Sequence, residues 1–382
     1  MAFVRNAGSE DADIFTCDPS GGNLQRVTFD GRAVLGVAWT PDGSHLIYAG
    51  HRMGTWRLWR MPATGGSARD LDFERNGAEF PALASAGGRL VYTDSPSVTA
   101  IWRAPLGGSS DAGAISLIRT TGRETAPAYS RDGAKIADIS DQTGNDEIWT
   151  SDAEGRHRTQ LTHFSGKSDP GSPRWSPDGQ TILFDLRGEA NEIDAIPAAG
   201  GTPKRVLANG GGGAWSNDAK SIYYQSQGQI WKAAADGSDP KMLTTEGGGQ
   251  PSESPDGKFL YFGNRREIWR MPSDGGAAEE VIQSDHGFIM GGAKVTAKGA
   301  YYVEWSRDRD MRMRRDRGMM QSLRSAPITV NFYDFETRKS TTVLETEIMD
   351  FAGVAISPDG KYVVYPLADA SETNLMLVEG FK

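Results

Sequence analysis

The side chains that usually carry acid–base or metal chemistry near neutral pH are few and scattered. Five histidines stand at His45, His51, His157, His163 and His286, and neither His-x-His nor His-Glu-x-x-His occurs. One cysteine, Cys17, closes no intrachain disulfide and builds no cysteine-based zinc site. A serine hydrolase of the α/β type needs Gly-x-Ser-x-Gly to expose its nucleophile, and that motif is absent. The glycine runs Gly210–Gly213 and Gly247–Gly249 lack the following Lys-Ser/Thr of a phosphate loop. The acidic stretches Glu10–Asp13 and Asp141–Glu147 offer oxygens, but not at EF-hand spacing. No catalytic residue, metal site or cofactor is therefore expected.

One segment stands apart electrostatically. The chain has 41 Lys and Arg against 50 Asp and Glu, a net charge of −9. That field repels phosphate backbones and disfavours general nucleic-acid binding. Yet Ser306–Ser325 carries Arg307, Arg309, Arg312, Arg314, Arg315, Arg317 and Arg324 against three aspartates. Arginine forks suit carboxylates and phosphates, and the interspersed methionines adapt to irregular surfaces. The segment reads either as a solvated loop or as an interaction arm.

These side chains must be positioned by a repeat. A Pro-Asp-Gly turn, or a degenerate form of it, recurs with its third residue at Gly43, Gly88, Gly133, Gly179, Ala219, Gly257, Gly299 and Gly360. Proline presets φ, aspartate bonds its own backbone, and glycine takes the φ > 0 position. Ala219 lacks that freedom, so a different turn type or strain of about 1 kcal/mol is expected there. Apolar runs follow the turns, such as Thr181–Phe184 and Tyr362–Tyr365, and a second aromatic recurs at Trp59, Trp102, Trp149, Trp231 and Trp269. Units of about 43 residues with four short strands and no helical periodicity are the pattern of a β-propeller. The recurrent tryptophans are expected to fill the space between sheets. No run approaches the ~18 apolar residues of a membrane helix.

With Trp175-Ser-Pro-Asp-Gly179 and Ile356-Ser-Pro-Asp-Gly360 in view, the chain resembles the TolB-like, WD40-like PD40 propeller repeats along essentially its whole length. Val330–Lys339 and Asn374–Phe381 are also similar to the last blades of propellers at the C-terminus of bacterial serine/threonine kinases and winged-helix regulators. That narrower resemblance implies a sensory or protein-binding module.

The expectation is an all-β chain, a single propeller over residues 1–382 with eight blades, or seven if the 295–340 unit is incomplete, and a basic insertion at 306–325. Residues 24–28 are expected to supply a fourth strand to the last blade. Function is expected to be non-catalytic: a scaffold that binds a protein or small ligand on the face of second-to-third-strand loops and blade connections. His51, Arg52, Arg265, Arg266 and the arginines at 307, 309, 312, 314, 315 and 317 are the candidate binding residues. The alternatives are a propeller enzyme of lyase or hydrolase type with its site at the channel mouth, and the detached sensor of a kinase or regulator. A soluble monomer is expected, cytoplasmic if the chain is complete and periplasmic if it belongs to a longer exported protein.

Overall fold

The recurrent turn explains the regularity of everything built on it. At Ser176-Pro-Asp-Gly179 the serine hydroxyl donates to Asp178 Oδ1 at 2.5 Å and accepts the Thr181 N–H at 2.9 Å, while the Gln180 N–H donates to the same carboxylate at 3.0 Å. Equivalent contacts are made by Ser130, Ser216, Ser254 and Ser357. These donors hold the carboxyls of Asp132, Asp178, Asp218, Asp256 and Asp359 below the usual range. Ala219 keeps this turn: its N–H donates to Ser216 O at 3.0 Å and its φ is 60°, against 70° at Gly179. The departure is therefore strain at one residue, not a new turn type.

The computed structural model describes residues 1–6, 12–29, 34–52, 55–72, 77–94, 99–107, 113–164, 169–187, 191–264, 266–284, 287–306, 326–348, 353–368 and 374–381. Among them are strands in nine antiparallel sheets and no helix, so no helix is long and apolar enough to cross a membrane. The chain divides into two compact units: a larger one, Thr99–Asp369, and a smaller one made of Met1–Val98 with Ala370–Lys382.

The larger unit holds six four-stranded sheets. Blade A comprises Glu124–Tyr129, Lys135–Ser140, Glu147–Asp152 and Thr159–Gln160; blade B runs from Asp169–Trp175 to Lys204–Ala208; blade C from Gly211–Trp215 to Lys241–Met242. Blade D runs from Gly249–Glu253 to Glu279–Gln283, and blade E from Gly287–Val295 to Lys339–Ile348. Blade F is composite: Ala355–Ile356 and Tyr362–Ala368 pair onward with Thr99–Pro105 and Ile115–Ile118.

Both faces of each blade are buried, which is why the second strands read as unbroken apolar runs. In blade B, Ile182 and Phe184 enter the core shared with blade A, while Leu183 points to blade C. Further cores join C to D through Tyr223 and Phe262, D to E through Tyr261 and Tyr302, and E to F through Val330 and Tyr365. Ile101 and Val364 of blade F meet Ile136 of blade A. Six sheets with six interfaces form a closed ring, with the first strands innermost. The indole of Trp175 spans one interface as expected, donating to the Ala128 carbonyl at 3.1 Å.

The smaller unit holds three sheets. Sheet P is Ala2–Asn6, Ala12–Thr16 and Gln25–Arg26; sheet Q runs from Val34–Trp39 to Arg69–Asp70; sheet R is Ala78–Leu83, Arg89–Asp94 and Asn374–Glu379. Two cores join them, P to Q around Ile14 and Tyr48, and Q to R around Ile47 and Tyr92.

Three expectations are revised. The nine sheets fall into six and three, which is neither the eight nor the seven blades that the anchors suggested. The strand near residues 24–28 stays beside Ala12–Thr16 and does not complete the last blade. Two repeat units also exchange halves: Thr99–Pro105 leaves its sequence neighbour Arg89–Asp94 for Tyr362–Ala368, and Asn374–Glu379 takes the vacated edge. The insertion does fall between second and third strands of blade E, where Trp305 pairs with Ile328; residues 307–325 lie outside the described residues.

Candidate site on the ring axis and the connection face

Each first strand of the ring is broken at the same place. Blades A to E show a register shift there, and seven residues before each turn anchor stands a left-handed residue: Ala126 (φ 51°), Ser172 (48°), Gly212 (63°), Gln250 (52°), Gly292 (71°) and Gly353 (102°). Ala126, Ser172 and Gln250 each precede a proline, a context that normally drives the backbone to the extended region, so each stores about 1 kcal/mol. Such bulges redirect side chains and free backbone groups beside sites. Asp185 uses one of them, accepting the Gly212 N–H at 2.8 Å. The bulges of successive blades also touch: a Cβ on Gly353 would lie 2.2 Å from Ala126 Cα, so only glycine fits. Sequence reading missed this ring, although its signal, Gly or X-Pro at a constant offset from the anchor, was present.

On the connection face, blades C and D enclose a cleft of about 830 Å³ lined by Gln225, Glu246, Gly248, Asn264, Arg266 and Glu267 among others. Its wall is shaped by backbone. Gly248 has φ 141°, and a Cβ there would lie 2.8 Å from the Phe262 ring. The Gln229 side-chain oxygen anchors the connection by accepting the Gly247 N–H at 2.9 Å and the Thr244 hydroxyl at 3.0 Å. The result is a polar cleft with one guanidinium, two carboxylates and two side-chain amides.

The carboxylates of blade A are occupied by the protein itself. Asp146 receives both its contacts from the Arg123 guanidinium, at 2.9 and 3.0 Å, and Asp141 accepts the Arg123 N–H at 2.6 Å. Burial still pushes Asp146 up to about 6, with Asp141 and Asp169 adding to the shift. Glu147 accepts from the Thr162 hydroxyl at 2.5 Å and the Phe164 N–H at 2.6 Å. A second cluster faces blade F. Arg158 bridges Glu124 at 2.8 Å and Asp138 at 2.9 and 3.0 Å, with Thr120 and Ser140 donating to Glu124. Glu124 and Asp138 are fully buried, and burial beside a second carboxyl raises Asp138 well above its ordinary value. Among the described residues no three His, Cys, Asp or Glu side chains are grouped to hold a metal ion.

Of the residues expected to bind, Arg266 lines the cleft. His51 and Arg52 end the second strand of sheet Q in the smaller unit, paired with Trp56 and Thr55, and their side chains lie outside the described ones. Arg265 and the arginines at 307, 309, 312, 314, 315 and 317 are outside the described residues.

Residues 119–286 match the family model of the TolB beta propeller domain, PD40, and this stretch spans blades A to D. A stretch of 156 residues, 41% of this chain, is 29% identical to the Tol-Pal system protein TolB of Bordetella pertussis and covers 35% of it. Another, of 109 residues and 26% of this chain, is 29% identical to the uncharacterized peptidase YuxL of Bacillus subtilis and covers 16% of that protein. The matched segments thus span well under half of these relatives. Among solved structures, a putative TolB from Agrobacterium tumefaciens aligns with a TM-score of 0.54 and 20% identity, over 71% of this chain and 98% of its own. The chain therefore carries a TolB-like PD40 β-propeller.

Proposed function

We propose that this propeller is a non-catalytic binding scaffold, and that it takes a segment of a partner protein in the cleft between blades C and D. The cleft itself carries the reading. It combines a guanidinium, two carboxylates and two amides on a wall whose Gly248 lets the connection pack closely on Phe262, and that polar mixture suits a peptide. The groups best suited to acid–base work support the same view. Glu124 and Asp138 are sealed from solvent, and Asp141, Asp146 and Glu147 each accept hydrogen bonds from donors within the protein. The relatives add that such a segment recurs as a part of longer proteins, as a recognition module would.

A photo-cross-linking amino acid at Asn264 should capture a protein in the producing cell, and the same label at Met242, on the outermost strand of blade C, should not. Arg266→Glu should lower capture at Asn264 by about fivefold or more, the weight of a ~1 kcal/mol contact. Equal capture at both positions, or turnover of a chromogenic peptide or an oligosaccharide by the purified chain, would overturn the proposal.

A further inference from the structure

Two residues beyond each left-handed position, the first strands of blades A to F place Ala128, Arg174, Ala214, Ser252, Lys294 and Ala355 at one register. Four of these are small and uncharged, and two are cations. Blades B and E are third neighbours in a ring of six, so Arg174 and Lys294 stand opposite each other across the axis. A third cation enters from the turn end. Arg131 of blade A reaches past blade B, and its guanidinium donates to the Asn217 carbonyl of blade C at 3.2 Å. Side chains from non-adjacent blades meet only at the axis.

These three charges lack matching anions. Lys294 makes no ion pair with a described residue, and its pKa is lowered by partial desolvation of the ammonium between the blades and by Arg131 and Arg174, both on blades that do not adjoin its own. The Arg174 guanidinium donates to the Pro173 carbonyl at 2.9 Å, and the one carboxylate that acts on it, Asp185, is already engaged with the Gly212 N–H. Glu253, on blade D, is held sideways by the Tyr223 hydroxyl at 2.8 Å and the Asn217 N–H at 2.6 Å. Three like charges around one axis repel one another where small residues could have filled the same register, and with Arg131 and Lys294 exposed and Arg174 half-buried they stay open to a solute. In a chain of net charge −9 they also run against the overall field.

We propose that Arg131, Arg174 and Lys294 form an oxyanion-binding site on the ring axis, at the end of the channel bounded by the turns, for a small multivalent anion bearing carboxylate or phosphate groups. Forked donors from Arg131 and Arg174 and the point charge of Lys294 would approach such an anion from three blades. Nothing in this site overlaps the cleft between blades C and D.

The test is titration calorimetry of the full chain with inorganic phosphate and, separately, with succinate, each against chloride at matched ionic strength. The expected result is one equivalent bound for at least one probe, the stronger probe identifying the preferred group. Arg174→Gln with Lys294→Met should weaken that binding by about tenfold or more, as expected for loss of charge-assisted contacts. Lys294→Arg should retain it. Because the substitutions remove repulsion, the variant without added anion should melt no lower than the parent, and cross-linking at Asn264 should be unchanged. Lys294→Met alone, with a smaller loss, serves if the double variant does not fold. Absence of binding by both probes, or equal binding by parent and variant, would overturn the proposal.

Discussion

The two compact units are spelled with the same repeat, yet six sheets in one have six interfaces while three in the other have two. A closed ring leaves no blade face without a partner. An open run leaves one face at each end, and the difference is visible in the surface. Among the described residues, the large apolar side chains that remain exposed are Met1, Phe3, Leu24, Phe29, Trp39, Phe80, Leu375 and Leu377 in the smaller unit and Ile115, Met242 and Tyr362 in the larger, although the larger has more than twice the residues. Sequence repetition thus sets what a blade is; closure decides how well its apolar faces are covered.

That contrast can be broken most severely by removing the strands that close the ring. Ending the chain after residue 354 deletes Ile356, Val363, Val364 and Tyr365, each worth about 1.5–3 kcal/mol of burial. Their sum rivals the roughly 5–15 kcal/mol by which whole proteins are stable. The larger unit should then lose its cooperative urea transition, followed by circular dichroism. Ending the chain after residue 368 should preserve that transition and expose to hydrogen exchange only the Arg89–Asp94 edge left by Asn374–Glu379.

A smaller effect separates buried from exposed ion pairs. Arg158→Ala strands two buried carboxyls at the junction of blades F and A, and should cost about 3–5 kcal/mol in denaturant unfolding. The equivalent change in the smaller unit, Arg26→Ala, removes a half-exposed partner of Asp13 and should cost under ~1 kcal/mol. Similar losses from both would mean that the two environments do not differ as described. Smallest of all, Ala219→Gly relieves a left-handed alanine and should stabilise by up to about 1 kcal/mol. The gain should appear in the larger unit's transition alone, and a fall in that midpoint would show that the φ of 60° stores no strain.

How much of this was legible follows from what the repeat encodes. Turn, second strand and inter-sheet tryptophan are local, so Ser176-Pro-Asp-Gly179 and Trp175 declared themselves. The exchange of halves was not legible, because the Thr99–Pro105 and Asn374–Glu379 strands carry interchangeable patterns and pairing between strands far apart in sequence is decided by packing, not by spelling. Of the candidate sites, counting strands puts Arg266 in the loop after a second strand, where it lines the cleft, whereas no local pattern marks Arg174 and Lys294, which only the closure of the ring sets across one axis.

The exchanged halves also impose an order of events on the making of the protein. Trp102 pairs with Tyr365, 263 residues later in the chain. At roughly 5–20 residues per second of translation, Thr99–Pro105 waits about 13–50 s for its partner to leave the ribosome. Blades A to D can form as they emerge, but the ring stays unlatched, with one apolar strand uncovered, until Tyr362–Ala368 has been made. Tyr362–Ala368 thus turns a row of blades into a ring, and a ribosome that stalls before it would release a row with two open ends.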